Sequence, residues 1–213
     1  WDKESRPADS FAGIATDGGD LWTADPSFDW QQPPEGKGAS YVTPPLSSDT
    51  TILGAGALHA WIRASVPDVD LQVTVSEVRP DGKETYVQSG WLRASMRKLD
   101  KQRSSLLEPI LSLRRDDAAK LPKGEFAKVI VPLYYQGHAY RAGSRIRVTI
   151  TPPSGDQPVW AFAESVPKGD ANVTVASSHK YPSRLILPQV QPGLQAPTGL
   201  PQCPALRGEP CRT

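Results

Sequence analysis

The chain has 213 residues, 22 of them proline and 17 glycine, enough for one β-sandwich of ordinary size with its core and too few for a second large domain beside it. Twenty-four Lys and Arg stand against 23 Asp and Glu, a net charge of +1, so the overall field favours neither nucleic acid nor an anionic membrane surface. No run approaches the roughly 18 apolar residues of a membrane-spanning helix, and the N-terminal WDKESRPADS lacks the apolar centre of an export signal.

Residues 1–40 read as an entry segment and loops. Thr16-Asp17-Gly18-Gly19-Asp20 is a turn, Leu21-Trp22 begins a short strand, and the Pro-, Gln- and Gly-rich stretch 25–37 is a surface loop pinned by Phe28 and Trp30. Residues 41–46 are extended and end in Pro44-Pro45, which excludes them from the middle of a sheet. The stretch 56–97 is the best defined. Leu58, Ala60 and Ile62 alternate with His59, Trp61 and Arg63, and Leu71, Val73 and Val75 alternate with Gln72, Thr74 and Ser76. Period two means strands with one buried face. Arg79-Pro80-Asp81-Gly82 then reverses the chain. The next strand, 83–92, sets Thr85, Val87 and Ser89 against Glu84, Tyr86 and Gln88.

Residues 96–124 have irregular apolar spacing and an interrupting Pro109, which predicts mostly loop with at most a short helix. Residues 126–134 return to alternation with Ala127, Val129 and Val131 on one face, and Pro132 marks an edge strand or its end. Residues 137–143 read as a turn region, and 145–151 as a strand with Ile146, Val148 and Ile150 inward. Residues 159–162, 171–176 and 184–187 supply the remaining strands. Many turns and eight or nine strands predict an all-β chain, a jelly-roll β-sandwich with long loops. The expected divisions are the entry segment 1–40, the sandwich 41–192 and a Pro-rich C-terminal tail 193–213.

Four segments also carry a resemblance, in order along roughly residues 40–190. They are Ser40-Tyr41-Val42-Thr43-Pro44-Pro45-Leu46, the strands around the Pro-Asp-Gly turn with Gly90-Trp91-Leu92-Arg93-Ala94-Ser95-Met96-Arg97, then Gly137-His138-Ala139-Tyr140-Arg141-Ala142-Gly143-Ser144-Arg145-Ile146-Arg147, and Tyr181-Pro182-Ser183-Arg184-Leu185-Ile186-Leu187-Pro188. Together they resemble the C-terminal domain of the X-Pro dipeptidyl-peptidase and cocaine-esterase group of serine hydrolases, largely bacterial enzymes. The resemblance implies a jelly roll of the galactose-binding-domain type, packed on an α/β-hydrolase domain that holds the nucleophile, acid and histidine. It implies an inert domain with no cofactor, whose partner is that catalytic domain in the same polypeptide, with homo-oligomer contacts through the intact enzyme and a secreted or cell-envelope location. Nucleic acid and membrane are not expected partners. Two departures stand out: the family's usual histidine is Met96 here, and the segment after it is rich in Lys, Arg and Leu where the family tends to be proline-rich.

Chemistry is sparse in the residues themselves. There is no Gly-x-Ser-x-Gly nucleophile turn. His59 reads as a packed or surface imidazole, His138 as part of a turn, and His179 precedes the last strand, so no triad is assembled. Asp17 with Asp20, and Asp68 with Asp70, offer oxygens to calcium but lack EF-hand spacing, and loop capping accounts for them; no metal is expected. Trp22, Trp30 and Trp160 are the candidate aromatics for sugar stacking or interdomain contact, while Trp61 and Trp91 read as core or interdomain. This keeps open a rival reading, a free-standing module that binds carbohydrate or another polymer. Asn172-Val173-Thr174 matches the glycosylation tripeptide inside a strand. The basic residues Arg93, Arg97, Lys98, Lys101, Arg103, Arg114 and Arg115, interleaved with acids, read as a solvated surface. Cys203 and Cys211 are the only cysteines. They are either a disulfide, which implies an oxidising compartment, or two surface thiols. A bridge there is worth about 2.5 kcal/mol by loop entropy, most of it spent on ordering a frayed tail.

Overall fold

A computed structural model describes residues 8–12 as backbone, and 30–153, 171–190, 197–203 and 210–213 in full. Among them are ten strands: β1 (Ala8–Ala12), β2 (Ala39–Val42), β3 (Thr50–Ala64), β4 (Asp70–Val78), β5 (Glu84–Arg93), β6 (Ala127–Tyr140), β7 (Arg145–Thr151), β8 (Asn172–Ala176), β9 (Arg184–Ile186) and β10 (Cys211–Arg212). They form two antiparallel sheets. Sheet A runs β1-β8-β3-β6, with β9 also on β3, and sheet B runs β10-β5-β4-β7-β2. The chain is an all-β sandwich. The strands expected at 21–22 and 159–162 lie outside the described residues.

Alternation built the core as period two requires. Leu58, Ala60 and Ile62 of β3, Val129 and Val131 of β6, Leu71, Val73 and Val75 of β4, and Ile146, Val148 and Ile150 of β7 fill the space between the sheets. The β4–β5 turn closes through Gly82 at φ +82°, with its N–H on the Arg79 carbonyl at 3.1 Å. Pro132 lies within β6, on the edge of sheet A opposite Ala57, where no neighbouring strand needs its missing N–H. Segment 41–46 starts in β2, the other edge of sheet B.

Two bulges break the simple pattern. Opposite consecutive Val75 and Ser76, β5 places Gln88 and Tyr86, so Val87 is the extra residue. Opposite Gly54 and Gly56, β6 places Gln136 and Leu133, so one residue of the Tyr134-Tyr135 pair is extra. Each bulge swaps the faces of the residues beyond it. Past the second one, β6 continues through residues read from sequence as a turn, and the chain actually reverses at Arg141–Ser144, where the Ser144 N–H donates to the Arg141 carbonyl at 3.0 Å. His138 is therefore a strand residue. Residues 97–124 are mostly loop, as expected for 96–124, with a three-residue 3-10 turn at Arg115–Asp117 and another just before them at Ala94–Met96.

Candidate docking face

The loop 97–121 is held firmly at its base. Arg97 donates to the carbonyls of Ala94, Ala119 and Lys120, and the Leu121 N–H reaches the Pro67 carbonyl at 2.7 Å. Lys98 pairs with Asp117, Ser112 N–H donates to the Lys98 carbonyl at 2.9 Å, and Leu99 bridges Leu111. Arg93 makes a two-pronged bond to Asp70 at 2.9 and 3.0 Å. Part of the basic cluster read as a solvated surface thus fastens this loop to the sandwich. At its tip Ser104 Oγ and Asp100 cap a tight turn, and Tyr135 donates its hydroxyl to Glu108. The loop lies against the bulge of β6.

That fastening presents apolar side chains to solvent. Leu106 is 64% exposed, Leu113 67%, Leu107 38%, Tyr134 48% and Tyr135 64%. Beneath them Trp91 packs against Tyr134 with ring centroids 5.7 Å apart, and its indole N–H donates to Gln72 Oε1 at 3.0 Å. Leu113 also sits at φ +52°, a left-handed conformation costly for a side chain with a Cβ. Large apolar groups in water along one loop and the β6 bulge it meets are the kind of surface that a partner commonly covers.

The buried polar groups lie elsewhere. Glu77 is fully buried on the inner face of β4, with His138 Nε2 at 2.7 Å and the Arg141 N–H at 3.0 Å. Burial pushes its carboxyl up, but the bonds from His138 and Arg141, beside Ser144, outweigh this and hold it below the usual carboxylate range. Burial and then the charge of Glu77 push the neighbouring Tyr140 hydroxyl up. This is a carboxylate with an imidazole and a serine nearby, yet His138 spends its Nε2 on the acid and the group is sealed in the sandwich. It braces the β6–β7 turn; it is not a nucleophile. Sequence spacing had shown none of it, because the bulge alone turns His138 inward.

A second carboxylate, Glu84, ties the tail down. It accepts from Arg147 at 2.5 Å, from Arg212 at 3.1 and 3.2 Å, from Ser76 at 2.5 Å and from Gln32 at 3.0 Å. Arg212 lies 3.8 Å over the ring of Trp30, whose edge meets Tyr86 at 5.7 Å. Trp30 is 6% exposed, so this candidate aromatic is covered within the chain itself. Trp22 and Trp160 lie outside the described residues, as do Asp17 and Asp20. Cys203 and Cys211 form a disulfide with Cα atoms 5.6 Å apart, an ordinary span. The described residues of the tail are tied to the sandwich: β10 pairs with β5, and the Arg79 guanidinium donates to the Pro201 carbonyl at 2.9 Å. Asp68 accepts from the Val69 and Ser95 N–H groups and Asp70 holds Arg93, so neither is a spare oxygen for calcium. Among the described residues no group of three His, Cys, Asp or Glu is placed to hold a metal. Asn172 is exposed at the start of β8. Trp61 lies half-exposed on the outer face of sheet A, against Tyr181.

The comparisons agree with the all-β sandwich. Residues 8–186 match the model of the X-Pro dipeptidyl-peptidase C-terminal non-catalytic domain. A Mycobacterium bovis protein named as a putative serine esterase is 27% identical over 155 residues, which are 72% of this chain and 24% of the relative. A Mycobacterium tuberculosis protein of the same description matches equally. Among solved structures, a CocE/NonD family hydrolase from Staphylococcus aureus superposes with TM-score 0.63 at 21% identity over 86% of this chain and 33% of its own. An α-amino acid ester hydrolase does so with TM-score 0.62 at 17% identity, covering 88% and 33%. The chain thus spans about a quarter of the curated relatives it matches.

Proposed function

We propose, since this chain belongs to the family of X-Pro dipeptidyl-peptidase C-terminal non-catalytic domains, that it packs on an α/β-hydrolase-type catalytic domain of the same polypeptide and helps shape its active site. The parent is then a serine hydrolase of the dipeptidyl-peptidase or acyl-esterase class. The observation that carries the reading is the set of exposed apolar residues Leu106, Leu107 and Leu113 of the loop and Tyr134 and Tyr135 of the β6 bulge it meets. Such groups repay burial at about 25 cal/mol per Å² of apolar surface removed from water, and the partner that covers them is the much longer remainder that the relatives possess. The nucleophile comes from that remainder, because this chain holds no Gly-x-Ser-x-Gly. A disulfide is at home in an oxidising compartment, which supports a secreted or cell-envelope location. Homo-oligomer contacts, if the intact enzyme makes them, run through the whole protein.

The test joins mass and activity. The native gene product is weighed intact, and it and the purified 213-residue chain are each offered a chromogenic short-chain ester and an Xaa-Pro anilide. A product two to three times larger that turns over one substrate, with the short chain inert, supports the reading and names the subclass. A product no larger than this chain, with neither active, ends it.

A further inference from the structure

Sheet A has an outer face that the docking side does not use. Arg63, Lys128, Lys180 and Arg184 are all exposed there. Five cations elsewhere in the fold are matched: Arg79 with Asp81, Arg93 with Asp70, Lys98 with Asp117, and both Arg147 and Arg212 with Glu84. On this face, among the described residues, none of the four has an acidic partner. Register places them together, since Arg184 stands opposite His59 and Lys128 opposite Trp61 on the two sides of β3. Burial, then the charges of Lys128 and Arg184, hold the His59 imidazole below its usual range, which is what a locally positive surface does to a neighbouring base. In a chain of net charge +1 the charge here is concentrated, not general.

The same face carries rings. Trp61 packs on Tyr181 at 5.2 Å and Tyr181 on Phe126 at 4.9 Å. The Arg63 guanidinium lies 4.9 Å from the Phe126 ring centre and the Lys180 ammonium 5.1 Å from that of Tyr181, so these cations are held upright before any ligand arrives. Ser183 fixes the Tyr181 segment by accepting the Trp61 N–H at 3.0 Å and donating to the Ala176 carbonyl at 2.5 Å.

We propose that this face binds an acidic polysaccharide, a sugar ring lying against Trp61 and the sugar carboxylates accepting from Arg63, Lys128, Lys180 and Arg184. The mixture of groups chooses the occupant. Around the cations, along residues 57–64 of β3 and their register partners, no side chain is a large apolar group left exposed, so this part of the face has nothing to insert into a bilayer and lacks the aliphatic anchors of a stable protein interface. Single-stranded nucleic acid needs successive open ring faces to stack its bases, whereas Arg63 and Lys180 lie over Phe126 and Tyr181 and leave Trp61 as the ring for a ligand. A carboxylated sugar polymer uses both features at once, Trp61 against a C–H face and cations on its acids.

Native gels cast with polygalacturonate, or with neutral dextran, at about 50 mM salt test this on the 213-residue chain. Retardation by polygalacturonate and not by dextran is expected. The exposed double variant Lys128→Glu/Arg184→Glu should melt at the wild-type temperature and lose affinity about tenfold or more, because each charge-assisted bond is replaced by repulsion. Trp61→Phe keeps the packing on Tyr181 with a smaller ring and is expected to weaken binding severalfold. Absence of retardation, or equal retardation of the charge-reversed variant, overturns the proposal. So does equal or tighter binding of a 20-nucleotide single-stranded DNA, of phosphatidylserine vesicles or of polyglutamate, each of which assigns the face to another partner.

Discussion

Gly90 of β5 lies directly under the carbonyl of Pro132 in β6: a Cβ placed on Gly90 would stand 1.9 Å from that oxygen. The neighbours that would have to yield are backbone atoms, so the two sheets touch main chain to main chain at this point. Gly90→Ala must pry them apart, and overpacking of this kind costs about 3 kcal/mol or more. Urea unfolding of the variant should show the loss as a lower midpoint at unchanged slope. A neutral result would mean that the sheets are spaced more widely there.

The C-terminal clasp should count toward the whole sandwich. Because Arg212 is bonded to Glu84 and stacked on Trp30, the disulfide orders a strand that the core depends on. Cys203→Ser is predicted to lose about 2.5 kcal/mol, a fall in Tm of about 5–10 °C for a domain of this size. Arg212→Ala should raise Trp30 emission as the cation leaves the ring. If the tail were only an appendage, the Tm of the main transition would not move.

Acid should destabilise the fold through Glu77. Its folded carboxyl is held below the unfolded range of about 4.3, so the folded state binds fewer protons, and its contribution is present above that range and lost as pH falls through the folded value. Glu77→Gln should cost about 2–3 kcal/mol at pH 7, the value of hydrogen bonds to a buried charge, and should flatten the stability profile below about pH 4.5. His59 acts in a higher window. With its folded value depressed from about 6.5, the unfolded chain binds the extra proton, so stability falls as pH drops below about 6.5. His59→Gln should remove that slope, and chemical denaturation at pH 5, 6 and 7 reads it.

Substitutions on the docking side should separate folding from assembly. Leu106→Lys and Leu107→Lys change side chains that this domain leaves in water, so the isolated chain should keep its stability to within about 0.5 kcal/mol. In the intact protein the same changes should weaken domain packing and lower kcat/KM. Loss of stability in the isolated chain would show that these leucines belong to its own core.

Strand identity was legible because alternation over Leu58–Ile62, Leu71–Val75 and Ile146–Ile150 is a local signal that the core then enforces. Facing beyond a bulge was not. Val87 and the Tyr134-Tyr135 step each shift the count by one, and the second turned Gln136 and His138 inward, where 137–143 had read as a turn region. Trp30 looked like a free ring because Arg212, which covers it, is 182 residues away in the chain. The loop 97–121 defeated periodicity for a different reason: Leu111 and Leu121 pack on the core while Leu106, Leu107 and Leu113 stay in water, so its leucines share no single buried face. The resemblance of the four ordered segments carried the family; only coordinates placed the apolar side, the two braced carboxylates and the unmatched cations of sheet A.

Hydrogen exchange tests the central claim most directly, by comparing this chain alone with the intact gene product. If the domain docks through its loop side, amides of residues 105–113 and 134–135 exchange at least about tenfold more slowly in the intact protein, the mark of a covered segment. Equal exchange of those residues in both, with protection appearing elsewhere or nowhere, would contradict the account.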